Sequence, residues 1–341
     1  MSNIYQIAEK TGLSPSTVAR ALSGNGYCSR KSREIVLTAA KELHYTPVAA
    51  AKALKNKRTN KIMICIPDIC NPYYFKMIEG INQVLEKHGY YTILSYTNRK
   101  LEKELQAISS LRERITDGMI MVSFDFNETV MNAIRESEMP VILTNLYESY
   151  EYEENFDCVY VDHTKATYIA TAYFIGKGHD KIAFLAGNTV EQTGRERLLG
   201  YRRALESAGI PYDPGLVIES DYTKDGGRRK TQEFLREKKN FSAVVACNDL
   251  MGIGCMDALR DNGLRIPEDV SIITLDNTDY CTCTYPKLTS VDMMQEQIGQ
   301  NAAMMMMERV KEGRNYKKIM ALEPRIIERD SVIPFRKKES E

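Results

Sequence analysis

The sequence predicts an α/β protein in which a short helical segment at the N-terminus precedes a two-lobed core of parallel sheets. In the first sixty residues, apolar side chains recur at helical spacing. From Lys61 onward, short apolar runs alternate with longer helical stretches, which is the pattern of parallel sheets covered by helices. The run Lys61–Ile64 that opens this series has a weak echo at Lys181–Phe184, which indicates two similar lobes with a boundary near residue 161.

The bulk composition limits the class of protein. A chain of 341 residues exceeds one ordinary core, so we expect two or three domains. With 43% hydrophobic and 27% charged residues it is typical of a globular protein, and no apolar run reaches the ~18 residues that span a bilayer. The N-terminus carries no secretory pattern, and the eight cysteines lack the spacing of a zinc site. We therefore expect a cytoplasmic protein with reduced thiols.

The net charge of zero conceals an uneven distribution. Residues 1–60 carry ten lysines and arginines against three acidic residues, whereas the remaining 281 residues carry 36 against 43. A small basic end on a larger acidic body is the electrostatic pattern of a protein that presents one end to a polyanion.

Three short helices are expected within residues 1–46. The first covers Ile4–Lys10 and is ended by Gly12, whose freedom to adopt positive φ suits a tight turn. Ser14 and Pro15 form the N-cap and first turn of a second helix, and a third covers residues 29–44. This spacing is the helix-turn-helix pattern, although a small helical protein–protein module would show similar periodicity.

The exposed N-terminal end of the second helix is where such a motif meets base edges in the major groove. Arg20 is placed to donate two hydrogen bonds to one guanine, which is worth about 1–3 kcal/mol of discrimination. The headpiece residues expected to contact DNA are Tyr5, Ser14, Pro15, Ser16, Thr17, Arg20 and Asn25.

The segment 47–60 is expected to form a hinge helix and linker. Its alanine-rich run has almost nothing to bury, so a helix here is marginal unless something packs against it. Leu54, flanked by Lys52 and Lys55, resembles an apolar wedge between cations that suits the minor groove. The hinge residues expected to contact DNA are Ala51, Lys52, Leu54 and Lys55.

Nine buried strands are expected in the core. They are Ile62–Ile66, Tyr91–Leu94, Met119–Val122, Val141–Thr144, Val159–Val161, Ile182–Leu185, Val217–Glu219, Ala243–Cys247 and Ile272–Leu275. Because ligands of open α/β sheets bind beyond the carboxyl ends of the strands, the cleft between two such lobes is the expected site.

Polar and aromatic side chains are concentrated at these strand ends. Asn, Asp and Arg suit paired hydrogen bonds to neighbouring hydroxyls, and tyrosines offer apolar faces to a ring, so the set predicts a site for a polyol. Taken singly, each polar residue is as well explained as a cap or turn residue. The expected ligand-binding residues are Asp68, Tyr73, Tyr74, Ser123, Asn145, Thr193, Arg197, Tyr222, Asn248 and Asp276, with Arg195 beside them.

Several segments of this chain resemble the lactose/galactose repressor family of bacterial transcription regulators. In the headpiece and hinge they are residues 4–22, 45–47 and 51–54. In the core they are residues 66–74, 197–201, 247–249, 275–278, 286–291 and 328–331. The resemblance covers nearly the whole chain, and no catalytic set stands out beside it.

The resemblance implies a homodimeric repressor of pseudo-palindromic operator DNA, controlled by a small molecule bound in a periplasmic-binding-protein-like core. Its hinge helices would fold on the operator, with Leu54 as a lever and Arg20 as the base-reading arginine. Pro15 has no long polar side chain, so its readout must be apolar or indirect. The effector contacts implied are Arg197, Tyr222, Asn248 and Asp276. Whether the effector weakens or strengthens DNA binding stays open, because the family contains both kinds.

The domain boundaries follow from the same pattern. The headpiece is expected at 1–46, the first lobe at 61–161 plus 290–322, and the second lobe at 162–289 plus 323–341. Met293 is also expected among the ligand-binding residues, but it stands where some sugar-responsive members place a polar residue, so the effector is expected to be less polar or differently oriented. A sugar or sugar derivative is the first expectation, and the alternatives are a purine, a phosphorylated sugar or a protein corepressor. No cofactor, metal or membrane partner is expected, and neither an enzyme nor a transport receptor fits the motifs. Met304–Met307 is expected within a helix and Cys281–Cys283 in a loop.

Overall fold

The chain divides into two units, Met1–Thr59 and Asn60–Glu341. The computed structural model describes residues 3–23, 26–46, 58–124, 126–146 and 156–335. Among these described residues, no helix combines the length and the apolar character needed to cross a membrane.

The N-terminal unit contains the three expected helices: α1 (Ile4–Thr11), α2 (Pro15–Ser23) and α3 (Arg30–Glu42). Asn3 and Gln6 cap the start of α1 reciprocally, and Gly12 ends it at φ 67°, a left-handed conformation that glycine adopts without strain. One side chain from each helix, Ile7, Val18 and Val36, is completely buried in a common core.

The second unit contains twelve strands among the described residues. They are β1 (Lys61–Ile66), β2 (Tyr91–Tyr96), β3 (Met119–Met121), β4 (Val141–Leu143), β5 (Asp157–Val161), β6 (Ile182–Ala186), β7 (Val217–Glu219), β8 (Ala243–Ala246), β9 (Ser271–Asp276), β10 (Thr289–Asp292), β11 (Ile319–Leu322) and β12 (Arg325–Ile327).

Two six-stranded sheets result, which confirms the predicted two-lobed α/β core. The first has the order β11-β5-β4-β3-β1-β2, and the second has the order β12-β10-β9-β8-β6-β7. All described pairings are parallel except that of β10 with β12. The two strands of the predicted echo, β1 and β6, occupy the same position, one strand from the edge of each sheet.

Helices connect the strands. They are α4 (Tyr73–Lys87), α5 (Leu101–Arg112), α6 (Glu128–Ser137), α7 (His163–Gly176), α8 (Gln192–Ser207), α9 (Lys224–Arg236), α10 (Asp249–Asp261), α11 (Tyr280–Cys283) and α12 (Gln295–Met307), with a 3-10 turn at Pro214–Leu216 and a π-helical turn at Glu308–Glu312.

The chain returns to the first lobe through α12, which packs backbone to backbone on α4. A Cβ at Gly80 would lie 2.4 Å from the carbonyl oxygen of Glu296, and one at Gly299 would lie 2.1 Å from that of Met77. Both positions therefore require glycine, because any side chain would separate the helices.

Three strands were not predicted, and one predicted boundary between the lobes was wrong. The short strands β10, β11 and β12 lack the long apolar runs of the others, and their order comes from pairing across the sheets. Because β10 pairs with β9, residues 290–292 belong to the second lobe and not to the first.

Two smaller predictions concern the last third of the chain. The helix at Met304–Met307 is confirmed: Met305, Met306 and Met307 are buried, and Met304 is exposed. The expected loop at Cys281–Cys283 is instead the single turn α11, in which the Cys281 side chain is completely buried.

Candidate ligand pocket and nucleic-acid interface

A cavity lies between the strand ends of the two lobes. Its lining residues are Asn71, Tyr73, Tyr74, Val122, Ser123, Phe124, Asn145, His163, Thr193, Arg197, Tyr222, Asn248 and Asp276. They follow strands of both sheets, as expected for a cleft formed by two open sheets.

Arg197 supplies the buried cation of the pocket. It lies on α8 with 5% of its surface exposed, and its Nη1 donates to the carbonyl oxygen of Cys247 at 2.7 Å. Its buried Nε has no hydrogen-bond partner among the described residues. A buried guanidinium with an unpaired N–H group lowers the stability of the folded chain unless a ligand accepts the missing hydrogen bond.

Asp276 supplies the carboxylate and is the last residue of β9. Its φ of 113° is one that side-chain-bearing residues rarely adopt, and Gln295 donates to its backbone carbonyl. Burial raises the pKa of the Asp276 carboxyl well above its ordinary value, the neighbouring Asp249 adds to this, and Arg197 opposes it. A strained backbone at a pocket wall is characteristic of a functional position.

Asp249, one residue beyond the pocket lining, has a different role. Its buried carboxylate accepts hydrogen bonds from Thr274, from Ser290 at 3.0 Å, and from the backbone and hydroxyl of Thr278 at 2.7 and 2.8 Å. These bonds fix the start of α10 against β9 and β10. Asp249 is therefore structural, and it holds in place the wall that carries Asp276.

Aromatic rings form two sides of the cavity. Tyr73 and Tyr74 meet edge to face at 5.2 Å, and Phe124 stacks on Tyr222 at 5.2 Å with 28° between the ring planes. Tyr222 has φ 66°, and its ring fills the space beside Gly187, where an added Cβ would lie 2.0 Å from it. The buried Tyr222 hydroxyl has no hydrogen-bond partner among the described residues.

An amide and an imidazole line the side of the first lobe. Asn145 Nδ2 donates to the carbonyl oxygen of Ser123 at 2.7 Å, so its Oδ1 is the acceptor toward His163 Nε2 at 3.4 Å. Burial lowers the pKa of His163 well below its ordinary value, and the positive charge of Arg197 lowers it further. His163 is therefore neutral, and its buried Nδ1 has no partner among the described residues.

Most of the expected ligand-binding residues meet at this cavity. Tyr73, Tyr74, Ser123, Asn145, Thr193, Arg197, Tyr222, Asn248 and Asp276 all line it. Asp68 and Met293 lie outside the lining: Asp68 accepts from the backbone N–H of Cys70 at 2.9 Å, and Met293 is completely buried in the hydrophobic core. Arg195 is exposed on α8.

Four lining residues, Asn71, Val122, Phe124 and His163, were missing from the predicted set. Phe124 and Val122 follow β3 as apolar residues and gave no polar signal. His163 opens the helix after β5, so its place at a strand end was visible in the sequence.

The headpiece presents a separate polar surface at the start of α2. The Ser14 hydroxyl lies 2.9 Å from those of Ser16 and Thr17, and Arg20 Nε donates to the carbonyl oxygen of Ser16 at 3.3 Å. Tyr5 is 72% exposed. Hydroxyl groups clustered at a helix N-terminus favour phosphate binding. The predicted contacts Asn25, Ala51, Lys52, Leu54 and Lys55 lie outside the described residues.

Both units match known families. Residues 3–48 match the bacterial regulatory proteins of the lacI family, and residues 171–332 match a periplasmic binding protein-like domain. Catabolite control protein A of Priestia megaterium is 32% identical over 297 residues, which cover 87% of this chain and 89% of that protein. The transcriptional repressor PurR of Vibrio atlanticus (strain LGP32) is 30% identical over 334 residues, covering 97% and 99%.

Solved structures agree with these matches. The transcriptional regulator CelR in complex with cellobiose has a TM-score of 0.74 and 28% identity, covering 97% of this chain and all of that one. A LacI family regulator from Enterococcus faecium with bound ribose has a TM-score of 0.73 and 27% identity, covering 81% and 100%. The lac repressor dimer bound to operator has a TM-score of 0.84 at 22% identity, covering 97% and 99%, which shows the shared fold.

Proposed function

The chain belongs to the lacI family of bacterial regulatory proteins, and from that premise we propose that a neutral sugar or sugar derivative, bound in the pocket, sets its affinity for operator DNA. It is a DNA-binding transcriptional regulator with an effector-binding domain. The proposal adds the chemistry of the effector and the residues that recognise it.

The observation that carries the proposal is a set of buried, unsatisfied polar atoms around one cavity. Arg197 Nε, Tyr222 Oη and His163 Nδ1 all belong to lining residues, and none has a hydrogen-bond partner among the described residues. Buried polar atoms are normally paired, so three unpaired ones in one pocket indicate a ligand with several hydroxyl groups. The stacked rings offer the apolar face that a pyranose or furanose needs.

The charges favour a neutral ligand over a phosphorylated one. Arg197 is a cation in the lining, but Asp276 lines the same small cavity and interacts with it electrostatically. The raised pKa of Asp276 shows that the cavity disfavours negative charge, so a phosphate is unfavourable there despite Arg197, whereas a vicinal diol can form hydrogen bonds with both groups. The bound cellobiose and ribose of the two similar regulators support the same class of ligand.

The DNA-binding role of individual residues is part of the proposal. We assign base contacts to the exposed face of α2, above all to Arg20 in its last turn, and phosphate contacts to Tyr5, Ser14, Ser16 and Thr17. The hinge around Leu54 enters the minor groove at the centre of a pseudo-palindromic operator, which requires two hinges and hence a dimer.

A thermal-shift screen tests the ligand class directly. The full chain is melted alone and with ribose, glucose, galactose, cellobiose and their phosphates. A neutral sugar that binds only the folded state at about 100 times its Kd adds about 2.7 kcal/mol to the free energy of unfolding and raises Tm.

The Asp276→Asn variant tests whether that ligand binds in the pocket. The Asp279→Asn variant, at an exposed position, is the matched control. We expect Asp276→Asn to lose the shift and Asp279→Asn to keep it. A shift caused only by phosphorylated sugars would refute the neutral-ligand assignment, and one retained by Asp276→Asn would refute the site.

A further inference from the structure

The stacked rings of Phe124 and Tyr222 are covered by a cation that is not itself part of the pocket lining. The guanidinium carbon of Arg99 lies 4.4 Å from the Phe124 ring centroid and 4.9 Å from that of Tyr222. Both distances are within the ~6 Å over which a cation is attracted to a ring face.

The three side chains come from three separate segments and from both lobes. Arg99 follows β2 and Phe124 follows β3, both strands of the first sheet, whereas Tyr222 follows β7 of the second sheet. One cation therefore contacts a ring from each lobe at the same time.

The backbone holds Arg99 in an unusual conformation. Asn98 and Arg99 have φ values of 53° and 55°, so two successive left-handed residues lie in the turn after β2. Such conformations cost free energy in residues other than glycine and persist where the surrounding structure compensates. The contacts of the Arg99 side chain with two rings are such a compensation.

We propose that Arg99 is a positioning residue for ligand recognition: it keeps Phe124 of the first lobe stacked on Tyr222 of the second and so completes the aromatic wall of the pocket. Its role in recognition depends on the proposed function, but its role in holding the wall together does not. A nearby cation provides the contrast, since Lys103 lies 5.4 Å from the ring of Tyr96 and joins only residues of the first lobe.

The chain contains no tryptophan, so a single introduced one reports on the wall. Tyr222→Trp places this reporter within the stack. Phe124→Trp places it at the position of the other ring and is the alternative if a tryptophan does not fit at position 222, beside Gly187. Each reporter chain is combined with Arg99→Ala, Arg99→Lys or Lys103→Ala. Quenching of the tryptophan by neutral acrylamide is then measured without ligand.

Arg99→Ala should raise the quenching constant about two- to fivefold, the factor that corresponds to the loss of a cation–π contact of ordinary strength. Arg99→Lys should restore most of the protection because it keeps the cation, and Lys103→Ala should leave the constant unchanged. Equal quenching with and without Arg99, or an equal rise in Lys103→Ala, would overturn the proposal. Neither result bears on whether a sugar binds, which the thermal-shift screen decides separately.

Discussion

Arg197 donates from Nη1 to the carbonyl oxygen of Cys247 at 2.7 Å and thereby fixes a buried guanidinium at the end of β8. The bond ties the first turns of α8 to the neighbouring strand of the same lobe. It also leaves Nε for a ligand, because that atom has no hydrogen-bond partner among the described residues.

Arg197→Lys should weaken binding of the sugar identified by the screen at least tenfold, about 1.5–3 kcal/mol, because a lysine has neither the planar fork nor the second donor edge. Calorimetric titration measures the loss. Arg195→Lys on the exposed face of the same helix is the control and should stay within about twofold of wild type. Equal effects of the two variants would mean that Arg197 is not a ligand contact.

Arg20→Ala should weaken binding to the operator by about 1–3 kcal/mol and relax the preference at one base pair in each half-site. Lys55→Ala should instead weaken binding to all DNA and lower the slope of log K against log salt by about one. Fluorescence anisotropy on selected and random duplexes at several salt concentrations separates the two. If both variants lost affinity equally on both duplexes, the assigned roles would be incorrect.

The fragment 60–341 should stay folded and dimeric and should not bind operator DNA. The structure separates it as its own unit, with both sheets and both lobes inside it. Circular dichroism, light scattering and a gel-shift assay check the three statements. Operator-specific binding by this fragment would contradict the division of labour between headpiece and core.

Asp157→Ala should lower the free energy of unfolding by about 3–5 kcal/mol. Its fully buried carboxylate accepts from Arg309 and Arg314, each at 2.7 Å, so the substitution removes an acceptor shared by two guanidinium groups. Asp261→Ala breaks a pair with Arg228 that is also 2.7 Å long but about half exposed, and should cost at most about 1 kcal/mol. Urea denaturation of both variants gives the comparison, and similar losses would be inconsistent with a buried ion cluster at β5.

His163→Asn should make stability less dependent on pH. Burial and Arg197 keep the pKa of His163 well below its ordinary value of 6.5, so below that pH the unfolded chain binds a proton that the folded chain does not. The contribution of neutral His163 to the free energy of unfolding is fully present above pH 6.5. As the pH falls from 6.5 to one unit lower, the free energy of unfolding decreases by about 1 kcal/mol.

Urea denaturation at pH 6.5 and one unit lower measures this difference, and the variant should lose about 1 kcal/mol less than wild type. Equal pH dependence in wild type and His163→Asn would mean that His163 is not held neutral by the fold.

The sequence by itself determined most of the elements and their order along the chain. Helical spacing predicted α1 and α3 within two residues of their observed ends and α2 at its start, and apolar runs predicted β1 to β9, because both signals are local. Polar residues directly after those strands identified most of the pocket lining, since parallel strands bring their carboxyl ends to one edge.

The tertiary structure alone decided which strand ends face each other and which polar groups are already satisfied. Asp249 and Asp276 look alike in sequence, yet only Asp249 has its carboxylate bonded to Thr274, Thr278 and Ser290. Met293 and Asp68 follow strands as the lining residues do. However, Met293 packs into the hydrophobic core, and the Asp68 side chain bonds to the backbone of the loop after β1.

No local sequence pattern indicated the contacts of Arg99, because its partners Phe124 and Tyr222 are 25 and 123 residues away in sequence. Contacts across such separations depend on how the sheets are ordered and how the lobes pack. Local spacing along a chain carries no information about either.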